Sequence, residues 1–377
     1  MKGSKLRILT VSIIAFIILL SIIPFVLGKP RKTYITDFVL DHEEEDEGFV
    51  NCNREEDRVS NQATAYGLEI LDDFDLLVKK DIFGTVEKTV NSSDLVEELE
   101  DKIISLSALD TTSLSDIYFL CQALTVLDEE IEDNAFLSAK GFVDSKQDVG
   151  GGFASRDDGL PNLISTCLAL NIYEMIDETI PNIESHKSFI LSCANSDGGY
   201  GGNSSLSSTI LNTFYVALTT EVLDDSSFLF SGGATIDYLN SFFVDDENDV
   251  DNYGGYLPSV DSKYATLGST YYCISAIYLL DEDEVEDEDA TTEWILARQN
   301  FQDGGFVDKT DGYNQKYSSL VNTYYAYSVL KLFDKELLTL EEEIFEVEFN
   351  WWILVILLSV IGAIVVIGII VWRKRRF

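Results

Sequence analysis

A double glycine followed by an aromatic residue recurs four times in this chain, at Gly151-Gly152-Phe153, Gly198-Gly199-Tyr200, Gly254-Gly255-Tyr256 and Gly304-Gly305-Phe306. A polar stretch follows each copy, and then an apolar run rich in small residues. These runs open Ser165-Thr166-Cys167, Thr213-Phe214-Tyr215, Thr270-Tyr271-Tyr272 and Thr323-Tyr324-Tyr325. Two earlier runs, Asn61–Leu71 and Ile117–Leu127, match the apolar helix without a glycine pair. Anchors at residues 61, 117, 165, 213, 270 and 323 thus recur roughly every 50 residues, a period that marks stacked helical hairpins. One such hairpin cannot bury its own apolar face, so the repeats must share a core.

Each unit carries a second helix ahead of its glycines. Glu97–Ser107, Lys187–Cys193, Thr235–Phe243 and Thr291–Gln299 alternate polar and apolar positions as half-buried helices do. Tyr317–Phe333, by contrast, is apolar nearly all round and belongs where it is covered on most sides. An amphipathic outer helix alternating with a buried inner one suits a ring or a solenoid. A solenoid needs polar caps at both ends, and units one and six have none. The expected fold is therefore all-α, a closed α/α toroid of six helical hairpins with an inner and an outer ring. The glycine pair has a local role in it: glycine at positive φ stops a helix and reverses the chain. No GxGxxG or Walker pattern accompanies it to suggest a phosphate cradle.

The formal charge is −40 over 377 residues. Phosphate backbones need clustered Lys and Arg, so nucleic acid is excluded as a partner. With 46% apolar and 12% aromatic residues, the chain is a folded one with an acidic skin rather than a disordered acid tract. The acid runs Glu43–Glu47 and Asp281–Asp289 read as solvated loops.

Both ends are apolar. Ile8–Leu27, behind Lys2, Lys5 and Arg7, is a signal peptide or an N-terminal membrane anchor. Trp351–Trp372 is long enough to span a bilayer, has tryptophans at both edges, and is followed at once by Arg373-Lys374-Arg375-Arg376. The positive-inside rule then puts the C-terminus in the cytoplasm and the large domain outside, at the cell membrane. The expected division is residues 1–28 signal or anchor, 29–56 acidic linker, 57–340 toroid, 341–350 acidic juxtamembrane stretch, 351–372 transmembrane helix and 373–377 basic tail. Sequons at Asn91-Ser92-Ser93 and Asn203-Ser204-Ser205 are compatible with an exterior domain. Cys52, Cys121, Cys167, Cys193 and Cys273 form no CxxC and no zinc spacing.

The segment Arg298-Gln299-Asn300-Phe301-Gln302-Asp303-Gly304-Gly305-Phe306, with Asn322-Thr323-Tyr324-Tyr325-Ala326-Tyr327-Ser328-Val329-Leu330, resembles the prenyltransferase/squalene-cyclase repeat. It is most similar to the β subunits of protein farnesyl- and geranylgeranyltransferases, and the resemblance covers roughly Asn61 to Phe333. It implies an α6–α6 barrel around a central cavity. In the transferases an Asp-x-Cys pair and a distant His hold a catalytic zinc. This chain has no Asp-x-Cys at the matching helix openings, and its two histidines, His42 and His186, match no such position. No metal site or cofactor is expected, zinc included. The cyclase branch protonates its substrate from an Asp-rich motif, and Asp72-Asp73-Phe74-Asp75, the nearest string, reads as a solvated helix end.

Lys263 and Lys316 stand six or seven residues before Thr270 and Thr323, and Arg156 lies on the corresponding stretch of the third unit. Set near helix N-termini, they could gather an anion at one mouth of the barrel. Tyr271, Tyr272, Tyr324, Tyr325, Phe214 and Tyr215 would then line an apolar cavity above it. The competing reading pairs these cations with Asp261, Asp308 or Asp311 and puts the tyrosines in the core. Two functions remain open: binding of a lipid (an isoprenoid), peptide or protein ligand without zinc chemistry, or a prenyltransferase or terpene-cyclase-type enzyme with a non-standard site.

Overall fold

The computed structural model describes residues 29–44, 47–52, 58–78, 90–127, 133–157, 159–226, 228–229, 231–300, 302–310, 313–314, 317–333 and 343–344. Two compact units emerge. In the smaller, Lys29–Pro30 pairs antiparallel with Glu343–Ile344. The expected anchor and transmembrane segments, 1–28 and 351–372, lie outside the described residues, as does the basic tail. No helix among the described residues is long and apolar enough to cross a membrane.

The larger unit, Lys32–Glu341, is the toroid. Its helices among the described residues are α1 (Arg31–Leu40), α2 (Asn61–Asp73), α3 (Ser92–Ser107), α4 (Leu114–Val126), α5 (Asp133–Lys146), α6 (Leu163–Met175), α7 (Ile183–Ser192), α8 (Ile210–Val222), α9 (Gly232–Asn240), α10 (Leu267–Leu280), α11 (Glu288–Leu296) and α12 (Leu320–Leu332). The even-numbered helices form the inner ring. Each packs on the next in the order α2, α4, α6, α8, α10, α12, and α12 returns to α2. The ring is closed, as the missing caps require.

Each inner helix opens the same way. The N-cap is Ser60, Ser113, Asn162, Thr209, Thr266 or Ser319, and its side chain accepts a backbone N–H of the first turn. Four residues beyond five of these caps stands a buried threonine. Thr323 shows its role: its hydroxyl donates to Ser319 O at 2.9 Å and accepts the N–H of Phe306 at 3.0 Å. Thr64, Thr166, Thr213 and Thr270 hold Phe49, Phe153, Tyr200 and Tyr256 in the same way. One hydroxyl therefore ties the aromatic after the glycines to the helix it precedes.

The glycine pairs dock the hairpins on one another. The first glycine of each pair has φ between +87° and +91°. A Cβ there would fall 2.1–2.3 Å from a backbone carbonyl of the following outer helix: Ser185 on α7, Ala234 on α9, Ala290 on α11, and Tyr34 on α1. The second glycine meets the ring one turn further on: Phe189, Tyr238, Trp294 and Phe38. The last pair thus uses a helix from the start of the chain.

That use corrects two expectations. Residues 29–56 are not simply an acidic linker. They supply α1, whose Ile35, Phe38 and Val39 are buried in the main core. Nor has the first unit lost its glycine: Gly48, at φ +119°, precedes buried Phe49. The last inner helix starts at Leu320, three residues after the expected Tyr317, which is 46% exposed. Ser319 takes the cap position and ends the helix there.

Candidate functional site

A cavity of about 710 Å³ opens inside the inner ring, within the range of small-molecule sites. Its wall is layered, because a helix presents one face at spacings of three and four residues. At the fifth or sixth position of their helices stand Tyr66, Tyr118, Phe214, Tyr271 and Tyr324. At the ninth stand Glu69, Gln122, Leu218, Ser275 and Ser328. Near the helix C-termini Asp73, Glu221, Tyr278 and Lys331, with Glu282 beyond α10, form the rim.

The aromatic layer is a packed floor. Tyr66 stacks on Tyr324 with centroids 3.8 Å apart and planes 7° from parallel. Tyr271 stacks on Tyr325 at 4.8 Å and meets Tyr324 edge-on at 5.7 Å. Beneath, the hydroxyls of Tyr272 and Tyr325 are hydrogen-bonded at 2.5 Å. Burial pushes the phenols of Tyr66, Tyr118, Tyr271 and Tyr324 up, so they stay neutral.

Glu69 is the chemically distinctive group. Gln122 Nε2 and the Tyr324 hydroxyl donate to its carboxyl. Protein surrounds it on all sides except the cavity, and this desolvation pushes its pKa up against the hydrogen bonds, which pull it down. At the rim, Lys331 Nζ donates to both carboxylate oxygens of Asp73 at 2.5 Å, and Tyr327 donates to Asp73 Oδ2 at 3.2 Å. With that lysine paired, the rim is net acidic.

The prenyltransferase alpha-alpha toroid domain model matches residues 94–311 and 254–347. The chain belongs to that family. Solved structures share its fold. Candida albicans protein geranylgeranyltransferase-I complexed with GGPP has 17% identity and a TM-score of 0.51 over 83% of this chain and 86% of that one. A type II terpene cyclase variant from Scytonema, in complex with the substrate geranylgeranyl dihydroxybenzoate, has 10% identity and a TM-score of 0.52 over 81% and 97%. A protein from Actinoplanes has 11% identity and a TM-score of 0.54 over 80% and 98%. No curated protein matches the chain in sequence.

The zinc that the resemblance to transferase β subunits implies does not fit the residues present. His42 Nδ1 is bound to Phe38 O at 2.7 Å, and both ring nitrogens of buried His186 are bound to carbonyls, of Gly151 and Pro181. The thiols of Cys121 and Cys167 are pushed up to about 12 by burial, against the thiolate a zinc ligand must be. Among the described residues no three His, Cys, Asp or Glu side chains converge.

Of the residues singled out from sequence, Tyr271, Tyr324, Phe214 and Tyr215 line the cavity. Tyr272 and Tyr325 lie under its floor. Lys263 and Arg156 do not reach it; Lys263 Nζ sits 4.8 Å over the ring of its neighbour Tyr264. Lys316 lies outside the described residues. Asp308, considered as a lysine partner, accepts the Leu267 N–H at 2.7 Å at the start of α10. Sequence reasoning missed Glu69 and Gln122. The available signal was position: counted from their N-caps, both fall on the face that carries the tyrosines.

Proposed function

We propose that the cavity binds a neutral isoprenoid and that the chain is a terpene-cyclase-type enzyme in which Glu69 delivers the initiating proton. The observation that carries this is the Glu69 carboxyl, desolvated and held by Gln122 and Tyr324 beside a wall of tyrosines. A carboxyl with a raised pKa keeps its proton to higher pH than a free one and is the better placed to act as a general acid. The proton adds to one carbon of an alkene and the π electrons form the new C–H bond, leaving a cation on the other carbon. A second alkene of the same chain attacks it, forming a C–C bond. The final cation loses a proton to the Glu69 carboxylate, which restores the acid. Each cation would lie against π faces, worth about 2 kcal/mol or more when desolvated. The acidic rim argues against a diphosphate, and relatives whose structures contain GGPP or geranylgeranyl dihydroxybenzoate support the isoprenoid class.

The test is incubation of the full-length chain with squalene or a geranylgeranyl phenol in D₂O, read by mass spectrometry. The expected product is a cyclised isomer carrying one solvent deuterium. Glu69→Gln should slow its formation by at least about a hundredfold without loss of ligand binding. Binding with no turnover would return the cavity to a carrier role, and turnover undiminished in Glu69→Gln would remove the acid assigned here.

We also propose that the toroid is anchored to the cell membrane and faces away from the cytoplasm. Support lies in the apolar segment Trp351–Trp372 and the basic Arg373–Arg376 after it. Protease protection in sealed right-side-out vesicles tests it: a toroid digested only after the membrane is permeabilised would reverse the orientation.

A further inference from the structure

The ninth position of the inner helices carries a polar belt that an apolar ligand would not need. Glu69, Gln122, Ser275 and Ser328 stand there on α2, α4, α10 and α12. Two belt atoms, Gln122 Oε1 and Ser275 Oγ, are buried and have no hydrogen-bond partner among the described residues. Ser275 is only 8% exposed, yet it lines the cavity. These helices sit on opposite sides of the ring, so the two residues meet the cavity from two directions. By contrast Asn171, at the same level on α6, spends its amide on Cys167 O at 2.8 Å and does not line the cavity. Buried polar groups are normally paired, and among the described residues these two are not.

We propose that the belt seats the hydroxyl of a neutral isoprenoid alcohol whose hydrocarbon chain lies on the tyrosine floor. The inference rests on the isoprenoid reading above and narrows it. A hydroxyl both donates and accepts. It can donate to Gln122 Oε1 or Ser275 Oγ and accept from a serine hydroxyl or the Glu69 carboxyl. A pure hydrocarbon leaves both atoms unpaired. An ether accepts but cannot donate. A diphosphate must pass Asp73, Glu221 and Glu282 with Lys331 already committed to Asp73.

Calorimetric titration of the full-length chain with geranylgeraniol, its methyl ether and geranylgeranyl diphosphate tests the proposal. The alcohol should bind about tenfold more tightly than the ether, the difference one unpaired buried group makes, and the diphosphate should bind most weakly. Ser275→Ala and Gln122→Leu should each weaken the alcohol by more than the ether. The wild-type comparison stands even if a variant fails to fold. Equal affinity for alcohol and ether, or tightest binding of the diphosphate, overturns the hydroxyl seat and leaves an isoprenoid cavity standing. If none of the three binds, the isoprenoid reading falls with it.

Discussion

Gly304 lies against the backbone carbonyl of Tyr34, so close that a Cβ on the glycine would fall 2.3 Å from that oxygen. The two residues come from opposite ends of the toroid, and their contact closes the outer ring. Gly304 also holds φ +91°, where a side chain is strained. Gly304→Ala meets both obstacles and should destabilise the toroid by about 2–4 kcal/mol in urea unfolding. Gly141 is the control. It is exposed on α5, with nothing within 4 Å of where a methyl would sit, and Gly141→Ala should stabilise by about 1 kcal/mol. Equal effects at the two sites would remove the closure argument.

Glu69 should make stability fall as pH rises. Its folded pKa is raised by desolvation, so between the ordinary carboxylate value and the raised one the folded state binds more protons than the unfolded state. In that window each step up in pH favours unfolding, and above it the penalty is constant. Glu69→Gln cannot titrate. The stability difference between the wild type and this variant should therefore shift against the wild type as pH rises through the window. General repulsion in a chain of net charge −40 acts on both proteins alike and cancels in the difference. Thermal unfolding of the pair from the ordinary carboxylate range upward reads it out, and parallel curves would mean that the folded pKa of Glu69 is not raised.

Cys121, Cys167, Cys193 and Cys273 are buried, while Cys52 is partly accessible. Burial raises the four buried thiols, which lowers both their thiolate fraction and their access to reagent. Native protein treated with a maleimide should take up one label, on Cys52, and five after denaturation. Labelling of Cys167 at the rate of Cys52 would show that the α6–α7 hairpin opens readily.

The repeat was legible because glycine is demanded by backbone geometry, and that demand recurs wherever a hairpin docks. Its first copy was hidden for the same physical reason. Gly48 does the work with a single glycine inside an acid run, and only Thr64 beneath Phe49 marks it. Helix α1 was illegible as part of the last repeat because it precedes its partner Gly304 by some 270 positions, and periodicity does not reveal a ring that closes through the other end of the chain. The tyrosine floor was readable from paired aromatics on a buried helix. The belt was not, since Glu69, Gln122, Ser275 and Ser328 are four ordinary residues on four helices, related only by equal distance from their helix starts.

Arg298, beside the last glycine turn, is 4% exposed and its guanidinium lies 3.4 Å over the Trp294 ring. Its two terminal nitrogens donate to Trp294 O at 2.8 Å and Asp251 O at 2.7 Å. Burial lowers its pKa to about 10, so it remains charged at neutral pH. Two divergent carbonyls and a ring face match a planar fork, and a lysine ammonium cannot serve all three. Arg298→Lys should therefore cost about 2–4 kcal/mol and be no milder than Arg298→Met, each losing the two-pronged donation to Trp294 O and Asp251 O together with the guanidinium face on Trp294. A second readout separates charge from shape. Asp308 is desolvated and raised, and the Arg298 charge pulls it back down. In Arg298→Met that pull is gone, the carboxyl rises further, and the variant's deficit should grow as pH climbs through the Asp308 titration. A deficit independent of pH would confine Arg298 to its contacts with Trp294 and Asp251.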